Sequence, residues 1–122
     1  MTETQTKAWP SELRVKDKGA LLAITFDSGD AFELSAEYLR VESPSAEVKG
    51  HGPGQEITVG GKRNVTIFSV EPVGNYAVRI SFSDRHASGL YSWDYLHKLG
   101  TEHDEIWPTY LEKLKTEGLS RE

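Results

Sequence analysis

The chain contains no cysteine. That absence excludes a disulfide, a thiolate zinc site, iron–sulphur ligation and a cysteine nucleophile drawn from this chain alone. It agrees with a reducing compartment, and the cytoplasm is the expected location. No apolar run approaches the roughly 18 residues that a membrane span needs, so no membrane partner is expected. The opening stretch MTETQTKAW lacks the apolar middle of a secretory signal. No long basic run occurs and the formal net charge is −5. The electrostatic footprint of a nucleic-acid binder is therefore missing. Internal repeats and low-complexity blocks are missing too.

What is present suits one domain. A chain of 122 residues can bury a single core without a disulfide or a metal. Residues 1–8 are polar and without period, and are expected to form a flexible tail. Residues 9–118 read as a single domain and 119–122 as a free end.

Leu13 and Val15 alternate with polar neighbours over Ser11–Lys16, the pattern of a half-buried strand. Asp17-Lys18-Gly19 and Asp27-Ser28-Gly29-Asp30 are turns, and they set off strands at Leu21–Phe26 and Ala31–Leu34. Short connections predict an antiparallel meander. Ser35 is placed to cap a short helix over Ala36–Arg40, which Ser43-Pro44 ends. Residues 43–61 form the one long irregular stretch, and such excursions in compact domains are usually functional or mobile. Strands are expected at Val65–Glu71 and Tyr76–Phe82, with a turn at Pro72–Asn75. A polar corner over Ser83–Gly89 then leads to a helix at Leu90–Leu99, stopped by Gly100. A last helix runs from about His103 to Glu117, with Pro108 in its first turn and Gly118 at its end. Its Trp107, Tyr110, Leu111 and Leu114 share one face. The expected fold is α+β: a small antiparallel-rich β-sheet with a short helix and two C-terminal helices packed on it.

Few residues carry chemistry. Asp84 and His86 lie two apart at a strand end, so both side chains can reach one ligand as a metal site or an acid–base pair. The ordinary alternative is that Asp84 caps the turn and His86 bonds a backbone carbonyl. Gly50-His51-Gly52-Pro53-Gly54 could form a backbone nest for an anion, with Lys49 adding charge. It is not a phosphate-binding P-loop, because no GxxxxGK[ST] occurs. His103, Asp104 and Glu105 are consecutive and fan around a helix, so they cannot easily converge on one ion. Acidic residues in a first turn are explained by the helix dipole. No nucleophile is assigned among Ser43, Ser45 and Ser88.

The segments LRVESPSAEVKGHG, EPVGNYAVRISFSDRHASGLYSWDYL and DEIWPTYLEKL resemble the gamma-butyrobetaine hydroxylase-like N-terminal domain family, also known as DUF971. The resemblance runs from about Pro10 to Arg121 and is closest to short stand-alone bacterial members. In carnitine-pathway dioxygenases this domain precedes the catalytic domain, which is expected to be missing here. There it holds a structural zinc through three cysteines and one histidine. The same module is also fused to carriers of iron–sulphur clusters. Carried onto this sequence, the cysteine positions fall on Ser43, Ser45 and Val48, and the histidine position on His86. Serine hydroxyls are poor zinc ligands and valine is none. A replacement site using Glu47, His51, Asp84 or His86 is conceivable without further support.

Together these readings lead to a non-catalytic accessory or interaction domain, not an enzyme. It would bind another protein, one linked to iron–sulphur or metal metabolism, through a surface that includes Ser43, Ser45, His51, Asp84 and His86. No cofactor is expected. Two alternatives stay open: a zinc- or iron-binding domain using His86, and a small enzyme acting on an anionic metabolite at the GHGPG loop. In the first reading the 43–54 loop folds onto the Asp84–His86 corner, with hydrogen bonds in place of metal bonds.

Overall fold

The computed structural model describes residues 9–44, 58–85 and 87–122, by backbone alone at 87–89. The expected tail over residues 1–8, most of the irregular stretch, and the residues Ser45, Glu47, Val48, His51 and His86 lie outside the described residues.

Strands β1 (Pro10–Lys16), β2 (Leu21–Phe26) and β3 (Ala31–Ser35) form one antiparallel sheet in the order β1-β2-β3. The predicted meander is thus observed. Its first turn places Asp17, Lys18 and Gly19 in succession at positive φ (52°, 56° and 94°). A second antiparallel sheet has the order β4-β5-β6, from Ile67–Val73, Ala77–Phe82 and Ala87–Ser92. Three helices among the described residues complete an α+β fold: α1 (Ala36–Val41), α2 (Trp93–Thr101) and α3 (His103–Thr116). None is long and apolar enough to cross a membrane.

Period-2 alternation on β2 and β5 buries Leu22, Ile24 and Phe26 from one sheet and Val78, Ile80 and Phe82 from the other. Both rows enter one core with Leu39 of α1 and Leu96 and Leu99 of α2. Each such side chain contributes about 1.5–3 kcal/mol when fully buried. A smaller cluster of Val41, Tyr110 and Leu114 seats α3, with Trp107 packed against it. Buried and half-buried tyrosines tie the layers by donating to backbone carbonyls: Tyr38 to Leu99 (2.7 Å), Tyr91 to Leu39 (2.5 Å), Tyr95 to Glu42 (2.6 Å) and Tyr110 to Val59 (2.6 Å).

Several boundaries differ from expectation. The corner is a short turn at 83–85, because Ala87–Ser92 forms a third strand paired with β5. Helix α2 therefore starts at Trp93, where the Ser92 hydroxyl accepts the Tyr95 N–H at 3.1 Å. Gly100 lies inside that helix instead of ending it. A Cβ there would sit 2.4 Å from the Phe32 ring, so its role is close packing. Pro72 and Val73 extend β4, which among the described residues pairs only with β5; an edge position tolerates the missing donor. Pro108 is the sixth residue of α3, past the first turn. Leu111 is largely exposed, while Tyr110 and Leu114 are buried. Tyr76, expected to open β5, is 54% exposed and lies just outside it, and the strand starts at the buried Ala77. Gly118 ends α3 as expected, with the Leu119 N–H donating to the Leu114 carbonyl at 2.8 Å.

The expectation of a free end at 119–122 does not hold. Gly61 N–H donates to the Ser120 carbonyl and Arg63 N–H to the Arg121 carbonyl, both at 2.9 Å. The 58–63 segment and the tail hold each other, so neither signals itself by its own periodicity.

Candidate functional site

The expected corner gathers around helix α1. Ser35 starts this helix by accepting the Tyr38 N–H at 3.0 Å. All six of its residues are buried, including Glu37 and Arg40. At i and i+3 these two are neighbours on the helix surface, yet each has a different partner. Arg40 Nε donates to Asp84 Oδ2 at 2.9 Å. Glu37 takes a two-pronged bond from Arg121, Nε to Oε2 at 2.9 Å and Nη2 to Oε1 at 2.7 Å. A buried charge is tolerated only when paired and hydrogen-bonded. Two elements distant in sequence, the β5–β6 turn and the tail, supply that pairing.

The turn is held independently of Asp84. Ser83 N–H donates to the Thr66 carbonyl at 2.8 Å, and the Thr66 N–H donates to the Ser83 hydroxyl at 3.0 Å. Arg85 adopts a positive φ of 68°. Asp84 then receives a second cation, Lys62 Nζ, at 2.6 Å. Its carboxylate thus bridges a buried guanidinium and a more exposed ammonium, and the Asp84 side chain is about 23% exposed. Beside it lies a shallow groove of about 350 Å³, lined by Lys62, Arg63, Asn64, Ser83, Asp84 and Arg121 among others. It is open and polar, unlike the enclosed, mostly apolar clefts that bury small ligands.

The remaining sequence candidates are distributed as follows. Ser43 is fully buried just after α1. Ser45, His51 and His86 lie outside the described residues. His103 serves packing: its ring meets Tyr38 edge-on at 4.7 Å and stacks on Trp107 at 6.3 Å. The donor set at positions 43, 45, 48 and 86 does not fit a thiolate zinc site. It offers two alcohols, an alkyl group and one imidazole, in a chain with no thiol. Among the described residues no three His, Asp or Glu side chains converge on one point.

Arg40, Lys62, Glu37 and Arg121 were not singled out from the sequence. One sign of the first and third was available: AEYLRV is too short to have both a core face and a separate charged face. Nothing local pointed to Lys62 or Arg121.

Comparison with known proteins agrees with this architecture. Two solution NMR structures share it, each with a TM-score of 0.81. One is of a relative 43% identical, covering 94% of this chain and 90% of its own. The other is 45% identical, covering 99% of this chain and 90% of its own. A crystal structure from Acidithiobacillus ferrooxidans ATCC 23270, of a DUF971-family protein of unknown function, is 36% identical with a TM-score of 0.61. It covers 74% of this chain and 90% of its own. No curated protein matches. The family model described as gamma-butyrobetaine hydroxylase-like, N-terminal, matches residues 13–97. With most of its length inside that match, the chain belongs to the gamma-butyrobetaine hydroxylase-like N-terminal family.

Proposed function

We propose that the chain is a non-catalytic accessory module that binds another protein through the face around the 83–85 turn. The observation that carries this reading is the state of Asp84. Its carboxylate accepts from both Arg40 Nε and Lys62 Nζ, which supports reading it as part of a hydrogen-bonded docking face. The open groove beside it presents Lys62, Arg63, Asn64 and Ser83 on a scaffold held by backbone bonds. A rigid, polar and shallow surface suits a protein partner, whose own side chains complete the desolvation. The family resemblance makes proteins that carry iron–sulphur clusters the first partners to try.

The test is site-specific photo-crosslinking in the native cell, with the reactive residue at position 62 or 83 and a control at position 68. Phe68 is 82% exposed on β4. One protein should crosslink from 62 and 83 and not from 68, and the adduct should weaken in Asp84→Asn. Equal labelling from all three positions, or turnover of a substrate by the isolated chain, would sink the reading.

A further inference from the structure

The C-terminal residues occupy a cleft built for them. Gly61 and Arg63 donate their N–H groups to the consecutive carbonyls of Ser120 and Arg121. At Gly60 a Cβ would fall 2.7 Å from the Ser120 carbonyl oxygen, so only glycine admits a backbone this close. The floor is Glu37, 5% exposed, whose two oxygens take the two-pronged Arg121 bond. One wall is Trp107, with the Arg121 guanidinium carbon 5.5 Å from its ring centroid. A planar fork set against a carboxylate and an indole is a geometry that lysine cannot reproduce.

The occupant is partly exposed: the Arg121 side chain is 38% exposed and that of Glu122 is 67% exposed. The polar groove continues past Arg121 and Glu122 toward Ser83 and Asp84, leaving room for a longer chain. Buried Glu37 thus receives its cation from a partly exposed side chain beyond the last helix, not from a core element.

We propose that this cleft is a recognition site for an extended, arginine-bearing segment of another protein, and that Leu119–Glu122 fills it in the free state as a tethered competitor. This goes beyond the accessory-module reading and shares its groove, but its experiment reads the contacts of Glu37 and Arg121, whereas the crosslinking reads positions 62 and 83.

The experiment titrates the full chain, wild type and Arg121→Ala, with the synthetic peptide Gly-Leu-Ser-Arg-Glu. The amide resonances of Gly61 and Arg63 and the Trp107 indole N–H are followed by NMR. Loss of the tethered competitor should strengthen peptide binding about tenfold or more in Arg121→Ala. Replacing the peptide arginine with lysine should remove most of that binding, and adding Glu37→Gln should abolish it. A folded Arg121→Ala chain that shows no shifts at peptide concentrations on the order of millimolar, or that binds the lysine peptide equally, overturns the proposal. Should Arg121→Ala fail to fold, the wild type decides. Excess peptide must move the Ser120–Glu122 amides to free-chain positions, and unmoved amides overturn it. A wild-type dimer that Arg121→Ala dissolves would make a second copy the occupant, which also overturns it.

Discussion

Between the two sheets the buried surface is Leu22, Ile24, Phe26, Val78, Ile80 and Phe82, apolar and drawn from regular strands. Along the seam where 58–63, the 83–85 turn and the tail meet α1, the ties are Arg40–Asp84, Lys62–Asp84, Glu37–Arg121 and single backbone bonds. Apolar burial is non-directional and is not weakened by charge screening. Ion pairs are directional, respond to salt and are lost when one partner is removed. The core therefore secures the fold while the seam secures a particular surface, and the two should fail under different treatments.

The largest expected effect strikes both regions together. Burial raises the phenols of Tyr38 and Tyr95 well above their ordinary 10.0 and pushes Tyr110 up to about 12. The unfolded chain releases these protons first. Stability should therefore be intact below pH 10 and fall as pH rises past it, with the Tyr110 share of the loss complete near 12. Urea midpoints that stay level from pH 9 to 12 would contradict this.

Ile80→Ala probes the core alone. It should cost about 2–5 kcal/mol in urea unfolding, by the same amount in low and high salt. A cost that changes with ionic strength would blur the distinction between the two regions.

Gly100→Ala adds a single methyl against Phe32 and should cost roughly 1–3 kcal/mol. Phe32→Leu in the same chain should recover part of it, which a double-mutant cycle measures. Additive losses would mean that the two residues do not press on each other.

Arg121→Ala probes the seam. It strands the Glu37 carboxylate, but the guanidinium is partly in water, so the loss should be about 1–2 kcal/mol and not the larger cost of a fully buried pair. Unlike Ile80→Ala it should shrink in high salt. Equal losses at both ionic strengths would show that packing, not charge, holds the tail.

The smallest effect is at the surface. His97 Nε2 lies 2.8 Å from Asp30 Oδ2, and that bond, followed by one from Ser28, holds the Asp30 carboxyl below its ordinary 3.8. Its contribution is present above that value and disappears as pH falls through the lowered one. Asp30→Asn should flatten the acid limb of the stability profile slightly, and an unchanged limb would remove Asp30 from the account.

How much of this was readable beforehand depended on range. The strand at Leu21–Phe26, the Ser35 cap, the last helix with Tyr110 and Leu114 turned inward and the family motifs are encoded within a few neighbouring residues, and each appears in the structure. The strand over Ala87–Ser92 escaped because polar and small residues obscured its alternation beside a clear turn. Gly100 was read as a helix stop because a Gly before a polar residue looks alike in both roles until Phe32 arrives.

By itself the sequence determined the α+β class, the antiparallel meander, the family and the absence of any thiol chemistry, since each is a matter of composition or of spacing along a few residues. Only the tertiary structure decided that Asp84 meets Arg40 across 44 positions and that Glu37 meets Arg121 across 84. Charges at such separations become partners only once the core has folded the chain around them, and no local pattern records which acid will end beside which base.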